Sequence, residues 1–149
     1  MQQLLALADE LGLTVIEHRG RKVGGYHDGS RTVRLNPHMP RRLARSVLAH
    51  ELGHAVHGHT PTIFGPQHAR QERAAFEWAA RLLIDRDAFA EVERLRDGHS
   101  PSMAYDLDVT VEIVDAYKGM LLRLGDVVYE RPKMGAGQWD HRENVAQAS

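Results

Sequence analysis

His50-Glu51-Leu52-Gly53-His54, preceded by Arg45-Ser46-Val47-Leu48-Ala49 and followed by Ala55-Val56-His57-Gly58-His59, decides how this chain is read. Two histidines four residues apart, with a glutamate after the first, form the pattern H-E-x-x-H. On a helix four residues advance about 400°, so both imidazoles leave one face, stacked one turn apart. Two nitrogens so placed can share one tetrahedral zinc ion. Glu51 stands about 100° round, where it can take a proton from a water on the ion without replacing a ligand. The flanking pattern predicts a helix from about Arg41 to His59, stopped by Gly58 and Thr60-Pro61. With His50 at 0°, Leu43, Val47 and His54 fall between about 20° and 60°, and Leu48, Leu52 and Ala55 between about 140° and 200°. Both flanks are apolar, so the helix is central, and two histidines there need polar partners. A hydrogen-bonded pair of core histidines is the plainer alternative.

A zinc site needs a third protein ligand. Position 60 is Thr, so a third histidine at the spacing H-E-x-x-H-x-x-G-x-x-H is absent. The next helix, expected from about Gln67 to Ile84, offers Glu72. With Glu72 at 0°, Ala75, Phe76, Ala79, Leu83 and His68 lie within about 60°, which puts a carboxylate on an apolar face. Glu77 points away, at about 140°, with Arg73 and Arg81 each four residues off, as in a surface ion-pair arrangement. A buried carboxylate is costly unless a cation neutralises it, which favours Glu72. Favourable placement at a helix N-terminus is the competing explanation. His57, at about −20°, is a rival ligand, a substrate contact or a cap; His59, at about 180°, is expected to be structural. Tyr26, His27, His57, His68 and Tyr105 are candidates for stabilising the transition state.

The rest of the chain sets the frame. At 149 residues it is expected to be one domain, about 1–129, with a polar, Gly-rich flexible tail over 130–149. There is no cysteine, so disulfides and thiolate metal sites are excluded and a metal must be held by His, Asp or Glu. The 19 basic and 20 acidic residues give a net charge of −1, no basis for broad nucleic-acid or membrane binding. Met1 to Leu13 carries Asp9 and Glu10 and no basic leader, so cytoplasm is the expected compartment. Leu4, Leu5, Ala8 and Leu11 predict a short first helix capped by Gly12. Thr14-Val15-Ile16 reads as a strand, and Asp28-Gly29 as a hairpin turn between two extended runs. Arg31-Thr32-Val33-Arg34-Leu35 alternates polar and apolar, as expected of a half-buried strand at a sheet edge. A fourth helix is expected over Arg86 to Leu95, two short ones within 101–123, and a last strand at Val127-Val128-Tyr129. Strands first and helices after predict an α+β fold, with a small antiparallel sheet packed on the helix of His50 and His54 and a mostly helical C-terminal part.

Ser46 to His54, Glu72 with Ala75, and Trp78-Ala79-Ala80-Arg81-Leu82-Leu83 resemble the ImmA/IrrE metallopeptidase family, and Val33-Arg34-Leu35-Asn36-Pro37 resembles its region before the helix. The resemblance covers about residues 20–90. It implies a zincin-like fold, one catalytic zinc ion on His50, His54 and Glu72, and Glu51 as general base. It also implies a protein substrate, a helix-turn-helix repressor in bacteria or their mobile elements. Three departures stand out. The family's Asn or Asp four residues after the glutamate ligand is Phe76, its Phe is Trp78, and its Met-Pro ending is Ile84-Asp85. Phe76 weakens the expectation of catalysis more than that of metal binding, because the family residue is expected to orient a ligand histidine. A chain that engages a repressor without cutting it is therefore an alternative. So is a DNA-binding regulator, since Met103 to Leu122 has helix-turn-helix-like spacing. Its residues Asp106, Asp108, Glu112 and Asp115 suit phosphate poorly. If a peptide substrate lies beside an edge strand, Arg31 to Leu35 is the expected strand.

Overall fold

The computed structural model describes residues 1–130, and these form three short strands and six helices, an α+β fold. The strands are β1 (Thr14–Glu17), β2 (Gly24–His27) and β3 (Thr32–Leu35). The helices are α1 (Gln2–Glu10), α2 (Arg41–Val56), α3 (Gly65–Leu83), α4 (Arg86–Leu95), α5 (Ser100–Leu107) and α6 (Val111–Glu130).

Gly12, at φ +73°, ends α1: its N–H donates to Asp9 O and the Leu13 N–H to Ala8 O. The chain reverses there into β1. The sheet order is β1-β3-β2, with β1 parallel and β2 antiparallel to β3, so the sheet is mixed and not antiparallel throughout as expected. The strand expected at an edge is therefore the central one, and β1 and β2 are the edges. Alternation along Arg31–Leu35 correctly reports one buried face, with Val33 and Leu35 buried, but it does not reveal how many neighbours the strand has. The hairpin turn falls where expected. Its left-handed residue, however, is Arg31 (φ +52°), whose N–H donates to Asp28 O, and not Gly29.

α2 runs through the centre, and Leu48, Ala49 and Leu52 are fully buried on it. It ends three residues short of its expected end. Gly58, at φ +64°, donates to Ala55 O, and His59 N–H donates back to His54 O. α3 crosses α2 closely: a Cβ on Gly53 would come within 2.7 Å of Ala75 O, so only glycine fits. α6 packs on α3 and α5. It continues through Val127-Val128-Tyr129, so the expected final strand is instead helix, and the second of two short helices is 20 residues long. No proline breaks α6 first, and an established helix propagates at little cost through β-branched residues. The expected tail, beyond Glu130, lies outside the described residues.

The turn between α5 and α6 is fastened to α2. Arg45 donates to Asp108 O (2.7 Å), Arg42 to Val109 O (3.2 Å), and Thr110 N–H to the buried Ser46 Oγ (3.0 Å). Of the helix-turn-helix-like positions, Ala104, Val109 and Val114 are fully buried in the shared core, and Leu107 and Thr110 are partly buried. Among the described residues no helix is long and apolar enough to cross a membrane.

Candidate metal centre

The α2–α3 crossing at Gly53 brings the Glu72 carboxylate over the imidazoles of His50 and His54. His54 Nε2 lies 2.8 Å from Glu72 Oε2 and 3.1 Å from His50 Nε2, which is 3.4 Å from Glu72 Oε1. Among the described residues these three form the group able to hold a metal ion, with ligand atoms within 4.8 Å of one another. A tetrahedral zinc ion with bonds of about 2.0–2.1 Å spaces its donors about 3.3–3.4 Å apart, so the set fits with small adjustments.

The electrostatics suit the same chemistry. Burial lowers the His50 pKa from 6.5 to about 4, helped by His54 and opposed by Glu72. Burial also lowers His54. Both rings are thus neutral near pH 7, with a lone pair to offer. Glu51, also buried, is raised to about 7, first by desolvation and then by the charge of Glu72, with Lys22 opposing. His50, Glu51, Val47, Phe76, Thr110 and Glu112 share the lining of a 330 Å³ cavity.

The two glutamates of α3 are buried in the opposite order from that expected. The Glu72 side chain is 36% exposed, whereas Glu77 is 14% exposed and pairs with Arg123 of α6, not with Arg73 or Arg81. Burial alone would have selected Glu77. Facing the histidines is what sets Glu72 apart.

His59 also departs from expectation. Its Nδ1 lies 2.9 Å from His54 Nδ1. A helical wheel places His59 opposite His54, but the left-handed turn at Gly58 folds residue 59 back over the last turn of α2. If His54 ligates through Nε2, its Nδ1 carries the proton and donates to His59, which fixes ring and tautomer. The Gly58 cap signal, followed beyond the helix end, could have revealed this. His57 caps α2, donating from Nδ1 to Gly53 O (2.7 Å), and stacks on His59.

His50 has no such support. Among the described residues its buried Nδ1 has no hydrogen-bond partner, and the Phe76 ring lies 4.0 Å from the His50 ring, centroid to centroid. Position 76 therefore does face a candidate ligand histidine, and its phenyl ring cannot orient it by hydrogen bonding. Of the remaining candidates, Tyr26 OH donates to Asp28, His27 Nδ1 is engaged by Ser30, and Tyr105, 76% exposed, lines a different cavity on α5. His68 lies close enough for its charge to act on His54.

An α+β domain with a small sheet, and a helix carrying two imidazoles one turn apart beneath a carboxylate from the next helix, has the form of a zincin-like peptidase domain. The chain belongs to the IrrE N-terminal-like domain family (Peptidase_M78), a family of metallopeptidases, whose profile matches residues 8–116, from α1 into α6. No curated protein and no solved structure matches the chain significantly.

Proposed function

We propose that this chain is a zinc-dependent endopeptidase of the ImmA/IrrE type, with His50, His54 and Glu72 as metal ligands and Glu51 as general base. The observation that carries this is the convergence of three donor groups within 4.8 Å beside a buried glutamate. Zinc held by His50, His54 and Glu72 would supply Lewis-acid polarisation of a scissile carbonyl and make a water there more acidic. Glu51 would take the proton of the attacking water and pass it to the leaving amine nitrogen. A carboxyl that burial holds near 7 can serve in both directions. The cavity walls Leu43, Val47 and Phe76 accept an apolar side chain next to the cleaved bond. His68, with the other candidates engaged or turned elsewhere, serves the developing oxyanion. The substrate is a cytoplasmic protein, a helix-turn-helix repressor of a bacterium or mobile element by resemblance.

Metal analysis of the purified protein checks the ligand set. One equivalent of zinc is expected in the parent and in Glu51→Gln, and little in Glu72→Ala. Glu51→Gln should retain metal and lose cleavage; cleavage at the parental rate would defeat the mechanism.

The packing of Phe76 on an unsupported His50 favours a second reading, in which the chain binds its repressor without cutting it. Phe76→Asn separates the two: hydrolysis that appears only in this variant supports a non-hydrolytic parent. Repressor release that survives Glu51→Gln supports it as well.

A further inference from the structure

A second cavity, of 260 Å³, opens beside β2 and contains Arg21, Lys22 and Arg34 with His18 and His27. Among the described residues no Asp or Glu lines it. Among the described residues none of the three strong cations is ion-paired. In a chain of net charge −1 this is a pronounced local asymmetry. Arg34 projects from the exposed face of β3, in register with Gly25 on β2. A Cβ at Gly25 would meet nothing within 4 Å, so the cavity floor beside Arg34 is open.

This cavity adjoins the candidate metal centre. Lys22 and Gly24 line the basic cavity, while Val23 between them lines the cavity of His50 and Glu51. The charge of Lys22 is felt at Glu51. β2, which lines the basic cavity and follows directly on Val23, is an edge strand whose outer side carries no partner strand among the described residues. An extended segment paired along β2 would pass from one cavity to the other.

We propose that the basic cavity is a substrate subsite that takes an acidic segment of the protein substrate, flanking the bond presented to Glu51. This rests on the peptidase reading. Substrate carboxylates would meet the planar guanidinium groups of Arg21 and Arg34, which bind them in fork geometry, with Lys22 adding a point charge nearest the catalytic side. The site suits a peptide better than a nucleic acid. Its cations are gathered in one concavity along a strand edge, whereas duplex binding spreads phosphate contacts along a stripe.

Fluorescence anisotropy on the zinc-loaded Glu51→Gln chain reads binding without hydrolysis. The probes are a labelled Glu-Ala repeat peptide, its Lys-Ala counterpart and a short DNA duplex. The acidic peptide is expected to bind, more weakly as salt is raised, and the basic one not. Arg21→Glu with Arg34→Glu should lower affinity about tenfold or more. Gly25→Gln, which fills the cavity at unchanged charge, should weaken it too. Arg94→Glu, on the exposed face of α4, should leave it unchanged. Equal binding of the two peptides, indifference to both cavity variants, or tighter capture of DNA through the same arginines would overturn the proposal. Acidic-peptide binding in a parent chain that hydrolyses nothing would overturn the peptidase reading and leave the subsite standing. Hydrolysis without charge preference would do the reverse.

Discussion

His54 and His50 have the same residue type, helix and face, yet their surroundings differ. His54 has an imidazole partner at Nδ1, and His50 has a phenyl ring. Hydrogen-bond partners of ligand histidines typically change metal affinity by about 10–100-fold. His59→Ala should therefore weaken zinc binding by about that factor, and His59→Gln, which keeps an acceptor, should recover much of it. Chelator competition measures both; affinity unchanged in His59→Ala would show that the contact does not position His54. The contrast also shows what the sequence revealed at this scale. His50, Glu51 and His54 are legible because their spacing acts within one helix, where angles on a wheel hold. His59 is not, because Gly58 leaves the helix in a left-handed conformation and the wheel stops there. The partner of Glu77 lies on α6, 46 residues away, beyond the reach of local spacing.

At the scale of elements, the site depends on how closely α3 lies on α2. Gly53 sits inside the H-E-x-x-H run with no side chain to offer, and its place is explained by the Ala75 backbone against it. Gly53→Ala inserts a methyl where backbone atoms already stand, and such overpacking costs about 1–3 kcal/mol. The expected result is a lower urea midpoint and, because α3 must shift outward, weaker zinc binding with every ligand intact. A variant that keeps parental zinc affinity would show that the crossing tolerates more space than the contact implies. Helix positions were largely readable from apolar periodicity and from Gly12 and Gly58 at their ends. The sheet was not. Alternation in β3 reports which face is buried, and only the arrival of β1 on its far side makes it central. That pairing joins segments separated by the whole hairpin, and it leaves β1 and β2 as the edges.

Across the whole molecule, opposed titrations at one centre set how stability of the metal-free protein varies with pH. His50 is lowered from 6.5 to about 4. Its contribution is therefore complete above pH 6.5 and is lost as pH falls through 4, where the folded protein must take up a proton on a buried ring. Glu51 is raised from 4.5 to about 7, the reverse case: below pH 4.5 it costs nothing, and the penalty of its buried charge grows until it is complete above pH 7. Between pH 4.5 and 6.5 these two slopes oppose each other while the lowered His54 and His59 side with His50, so the stability of the metal-free protein should rise with pH there, with a slope that Glu51 reduces. Glu51→Gln removes that opposition. At about 1.4 kcal/mol per unit, the variant without metal should gain about 3 kcal/mol above pH 7 and nothing at pH 4. Its stability should then fall steadily on acidification from pH 6.5. Urea unfolding with a chelator present, for parent and variant across this range, tests the expectation. Parallel profiles would mean that Glu51 is hydrated in the folded protein. The same carboxyl would then lack the elevated pKa that suits it to return a proton to the leaving nitrogen.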